Sequence, residues 1–85
     1  MKTYFDLYKA VLAGVRDPVD LKLHFGLDDD RLEAAMQPLR EAKIVQAITV
    51  VMNGARYFEV LHEARDEGSA STLANDAGLD LSRPI

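Results

Sequence analysis

Eighty-five residues with 10 basic and 14 acidic side chains carry a net charge of −4, and 48% of them are apolar. That is one small domain, with enough apolar side chains for a packed core and little stability to spare, so self-association into a homodimer is expected. The absence of cysteine excludes disulfides and thiolate metal sites.

No apolar run approaches the roughly 20 residues that cross a bilayer. The stretch Met1–Phe5 runs straight into Asp6 and Lys9, so it is not a signal peptide's apolar core. A cytoplasmic location with no membrane contact is the expectation. Phosphate demands cations, so an acidic chain argues against nucleic acid as a partner. The charge is unevenly spread, however. Met1 to His62 holds nine acidic and eight basic side chains, and Glu63 to Ile85 holds five and two.

The first helix is marked by Tyr4, Leu7, Tyr8, Val11 and Leu12 on one stripe, with Gly14 suited to the position just past its end. Val15-Arg16 reads as a very short extended stretch. Asp17-Pro18-Val19-Asp20 predicts a second helix, with Asp17 as N-cap and Pro18 in the first turn. It runs through Leu21 and Phe25 and stops at Gly26. Asp28 caps a third helix, Asp29 to Ala42, in which Leu32, Ala35, Met36 and Leu39 recur at helical spacing. Pro38 interrupts its hydrogen bonding and allows a bend there. The connection Gly26-Leu27-Asp28 matches the tight glycine-containing link of a helix-turn-helix.

From Ile44 the pattern turns β-branched, through Ile44-Val45-Gln46-Ala47-Ile48-Thr49-Val50-Val51-Met52. Asn53-Gly54 predicts a two-residue type I′ turn, and Ala55–Leu61 returns as the second strand. This register pairs Val51 with Arg56, Thr49 with Phe58 and Ala47 with Val60. One hairpin face would cover the helices, leaving the other and the first helix for a dimer contact. Beyond Glu63 the composition shifts to Gly68-Ser69-Ala70-Ser71-Thr72 and scattered charge. Residues 63–85 are therefore expected as a flexible acidic tail, with at most a short helix near Thr72–Ala77.

Two segments carry a family resemblance. Leu32-Glu33-Ala34-Ala35-Met36-Gln37-Pro38-Leu39-Arg40-Glu41-Ala42-Lys43-Ile44-Val45 resembles a recognition helix and its exit. Asn53-Gly54-Ala55-Arg56-Tyr57-Phe58-Glu59-Val60-Leu61 resembles a wing. Together with the preceding helices they cover about residues 4–62 of a domain expected to span 1–62, and resemble the winged helix-turn-helix transcriptional regulators of bacteria and archaea, such as the MarR, PadR and ArsR families. The implied fold is α+β and mainly α, with three helices and a C-terminal β-hairpin wing.

The implied activity is double-stranded DNA binding, with the third helix in the major groove and the wing on backbone or minor groove. Arg31, Gln37, Arg40, Lys43 and Arg56 would make the contacts. The chain departs from the pattern twice. Lys43 stands where glycine is usual, and Asp28-Asp29-Asp30 opens the helix where relatives place neutral or basic side chains.

Three carboxylates at a helix N-terminus are favoured by its dipole, yet they occupy the end that otherwise attracts phosphate. Asp28, Asp29, Asp30 and Glu33, with Tyr57 on the hairpin, suit a basic protein partner instead. A protein-interaction module is therefore the alternative expectation. A calcium loop is excluded by spacing: counting from Asp28, Glu33 falls where glycine is needed and Leu39 where glutamate is needed. His24 and His62 have no nearby ligand pattern, and Ser69, Ser71 and Ser82 have no partnered base. No metal, cofactor or enzymatic activity is expected.

Overall fold

The computed structural model describes residues 1–85. In chain order it comprises α1 (Tyr4–Leu12), α2 (Pro18–Phe25), α3 (Asp29–Glu41), β1 (Val45–Thr49), β2 (Arg56–Val60), one 3₁₀ turn (His62–Ala64) and α4 (Glu67–Asp76). The architecture is α+β and mainly helical, with a single two-stranded antiparallel sheet. No helix is long and apolar enough to cross a membrane.

The helices begin where side chains satisfy their first amides. Thr3 and Asp6 form a reciprocal capping box on α1, in which the Asp6 carboxylate accepts the Thr3 N–H at 2.9 Å. That bond holds the Asp6 carboxyl below its usual range. Asp17 accepts from Val19 N–H and Asp28 from Arg31 N–H, each at 2.8 Å, so both predicted caps are in place. Helix α3 runs unbroken through Pro38. The carbonyl left without a partner belongs to Ala34, an exposed residue on the water side.

The core joins one stripe from each element. Leu7, Tyr8 and Val11 of α1 meet Leu21 of α2 and Leu32, Met36 and Leu39 of α3, with Ile44, Val45, Phe58 and Val60 closing the hairpin side. The hairpin register differs from the expected one. Val45 pairs with Val60, Ala47 with Phe58 and Thr49 with Arg56, a slip of two residues.

The turn is correspondingly longer. Gly54 N–H donates to Val50 C=O at 2.8 Å, and Ala55 N–H donates to the Asn53 side chain at 2.9 Å. Gly54 has φ of +70° but Asn53 is not left-handed, so the type I′ turn, which needs both, does not form. An even slip preserves side-chain alternation, and the expected inner and outer faces are retained.

Residues 63–85 are not a flexible tail. Helix α4 buries Ala70 and Ala74, spaced one turn apart, and Leu79 and Leu81 join the core. The C-terminal segment also satisfies orphan amides of α1: Tyr4 N–H donates to Arg83 C=O at 3.0 Å and Phe5 N–H to Leu81 C=O at 2.8 Å. Thr3 bridges Pro84 in antiparallel fashion. The buried Tyr8 hydroxyl donates to Ala64 C=O at 2.6 Å.

This segment therefore joins the first turn of α1. The exposed apolar side chains are elsewhere: Val19 and Leu23 on α2, and Val51 and Met52 at the hairpin tip.

Two outcomes follow for stability. Truncation after His62 should abolish cooperative thermal unfolding, because it removes both the α4 packing and the carbonyls that complete α1. Tyr8→Phe should cost about 1–3 kcal/mol by stranding the Ala64 carbonyl. Burial, reinforced by Glu67 and Asp66, raises the Tyr8 pKa above 10.0. The folded state then holds a proton that the unfolded chain releases, so this contribution is intact below pH 10.0 and is lost as pH climbs through the folded value. Alkaline denaturant titrations should show this loss in the wild type and its absence in the phenylalanine variant.

Candidate nucleic-acid interface

The site is built around the exit of α3. Lys43 has φ of +63°, the left-handed conformation that glycine adopts without strain. Around it, Ile44 N–H donates to Leu39 C=O at 3.0 Å and Lys43 N–H to Arg40 C=O at 3.1 Å. These are the two bonds of a Schellman motif, and the accompanying apolar contact is made by the buried pair Leu39 and Ile44. The departure from glycine is thus accommodated by conformation, at the cost of local strain. It also places an exposed lysine at the junction of helix and hairpin.

That junction opens into a cleft lined by Gln37, Arg40, Glu41 and Lys43, with Gln46 and Ala47 of β1 on the facing wall. Gln37 donates to Glu41 at 3.0 Å. Arg56 lies on the inner hairpin face and reaches α3, where its guanidinium pairs with Glu33 at 2.7 Å. Arg40, half-exposed, stands 3.9 Å from the same carboxylate. Four of the residues expected to contact DNA are therefore drawn to the C-terminal half of α3 and the adjoining hairpin.

Arg31 is separate. It precedes Arg40 by nine residues, two and a half helical turns, and so lies on the opposite side of α3. There it borders a hollow with Tyr4, Leu27, Pro84 and Ile85.

The residues expected to meet a protein partner are divided among three places. Asp28 is committed to capping, and Asp29 pairs with Lys22 at 2.7 Å. Asp28 and Asp29 border a groove with Val19, Leu23 and Leu27, where Val19 is 57% and Leu23 78% exposed. Glu33 faces the hairpin arginine instead. Tyr57 is half-buried on the outer hairpin face, with the Arg16 guanidinium 5.9 Å from its ring centroid.

Two contacts have no forewarning in the sequence. Glu33 anchors Arg56 of the hairpin, a long-range pairing with no local signature. Arg16 lends its carbonyl to Phe58 N–H at 2.9 Å, tethering β2 to the α1–α2 connection.

No three histidine, aspartate or glutamate side chains converge as a metal site. The chain matches no family model, no curated protein and no solved structure. The class is thus defined by geometry alone: a mainly helical α+β fold whose antiparallel hairpin leaves the end of its third helix.

Lys43→Gly should relieve the strained exit and raise stability by about 1 kcal/mol. In a chain of this size that corresponds to a melting temperature higher by about 4–8 °C. Calorimetry showing a lower melting point would contradict the strain assigned to Lys43.

Proposed function

We propose that the chain is a winged helix-turn-helix regulator that binds double-stranded DNA with its hairpin and the C-terminal half of α3. The element order supports the fold reading, as does the Gly26-Leu27-Asp28 link, where Gly26 takes the left-handed conformation that ends α2. So does the tether from Arg16 to Phe58.

The observation that carries the functional reading is a local reversal of charge. Although the chain is acidic overall, Arg40, Lys43 and Arg56 outnumber the carboxylates beside them, Glu33 and Glu41, and no other carboxylate lies between Glu41 and Glu59 in the chain. Gln37 adds to this stretch from the facing helix. A duplex can approach there with its phosphates near cations. At the other end of α3, Asp28, Asp29 and Asp30 turn it away. The approach therefore differs from the usual one, in which the N-terminal half of the recognition helix meets base edges.

A second reading, a winged-helix module that binds protein, draws on the α2 groove. Exposed Val19 and Leu23 edged by Asp28 and Asp29 suit an apolar anchor carried on a basic segment. In the DNA reading, the same strip serves the homodimer.

The test is fluorescence anisotropy with random-sequence duplex, starting at about 50 mM salt and titrating upward. Contacts from Arg40, Lys43 and Arg56 should give a log–log salt slope of about −3, with Lys43→Gly and Arg56→Ala each lowering its magnitude by about 1. Converting Asp28, Asp29 and Asp30 to asparagine should leave that slope unchanged. Failure of both wild type and triple variant to bind any duplex at low salt would replace this reading with the protein-binding one.

A further inference from the structure

The shortest ion pair of the hairpin joins it to α3 through one carboxylate. Glu33 Oε1 lies 2.7 Å from Arg56 Nη1, and Oε2 lies 3.4 Å from Arg56 Nη2 and 3.9 Å from Arg40 Nη1. Arg56 is steadied from a second side, since its guanidinium lies 5.4 Å from the ring centroid of the fully buried Phe58. Arg40 follows Glu33 by seven residues, two helical turns along the same face. One acceptor therefore gathers two guanidiniums from different elements. The side chains of Arg40, Arg56 and Glu33 are 38%, 40% and 45% exposed, so solvent reaches the whole cluster.

We propose that Glu33 is a positioning residue and an internal competitor at the duplex-binding surface. Its carboxylate holds Arg40 and Arg56 in the arrangement a backbone phosphate requires, and the phosphate displaces it. Carboxylate and phosphate offer a guanidinium the same paired oxygens, so a cluster arranged for one accepts the other. The exchange involves exposed groups, where an ion pair is weakly held. Stacking on Phe58 keeps Arg56 in place while the partner changes. After displacement the Glu33 charge remains beside the phosphate and opposes it, which lowers affinity and leaves the surface guarded against weaker anions. This inference rests on the duplex reading above.

Glu33→Gln separates the two roles, because the amide oxygen still accepts from arginine while the charge is gone. Anisotropy with the full-length chain at about 0.1 M salt confines charge effects to roughly 10 Å. Under those conditions the variant should bind random duplex about tenfold more tightly, with a log–log salt slope steeper by up to about 0.9, because one charge fewer opposes the same phosphates. Asp76→Asn, at the far end of α4, removes the same net charge and should change affinity less than about twofold. A purely structural role for Glu33 would alter the melting temperature and leave the slope alone.

Wild type and Glu33→Gln binding alike, or the variant binding more weakly, would overturn the competitor role and leave the duplex reading standing. Binding by the variant alone would support both. Absence of binding by either protein would overturn both.

Discussion

The way the chain leaves α3 governs which hairpin side chains can face the helices. Lys43 turns left-handed, Ile44 closes back on Leu39, and β1 starts with Val45 pointing into the core. Because side chains alternate along a strand, this choice also assigns Ala47 and Thr49 to the inner face, with Val60, Phe58 and Arg56 opposite them. An exit longer by one residue would turn Gln46 and Ile48 inward and replace Phe58 and Arg56 by Tyr57 and Glu59. The core would then lose its central aromatic, and the Glu33 carboxylate would meet another carboxylate in place of a guanidinium. A single strained residue is thus retained where both the packing and the charge arrangement depend on the direction it sets.

Much of the helical part is legible in the sequence because helix ends are written in local chemistry. Asp17 with Pro18, Gly26 and Asp28 each mark a boundary that the structure keeps. The hairpin shows where local chemistry loses. Asn53-Gly54 favours a two-residue turn, but that register would set Val60 against Ala47 and leave Val45 without a partner on the inner face. Pairing Val45 with Val60 and Ala47 with Phe58 buries more apolar surface against the helices, and the turn lengthens to accommodate it. Burial outweighs turn preference, and only the even size of the slip keeps the faces as read.

The C-terminal residues escape sequence reasoning for a different reason. Ala70 and Ala74 are too small to stand out as an apolar stripe, and the carbonyls of Leu81 and Arg83 serve α1 through backbone groups that carry no sequence signal. Similar reasons bear on the site. Gln37, Arg40 and Lys43 lie within seven residues along one chain segment, so their convergence was readable from spacing. The separation of Arg31 from Arg40 was equally available from helical periodicity. The Glu33–Arg56 pair spans α3 and β2 and depends on the hairpin register, which the sequence alone misplaces.

The charges along α3 have a structural cause that also gives the domain its two sides. Asp28, Asp29 and Asp30 sit at the positive end of the helix dipole, and Arg40 and Lys43 at the negative end, each the favourable placement. A helix stabilised in this way is polarised, acidic where it begins and, with Arg40 and Lys43 against Glu41, more basic where it joins the hairpin. Any polyanion is therefore oriented before contact, with the hairpin end leading, and a basic protein with the α2 end leading. The net charge of −4 does not report that polarity, because residues 63–85, with five acidic and two basic side chains, carry most of it.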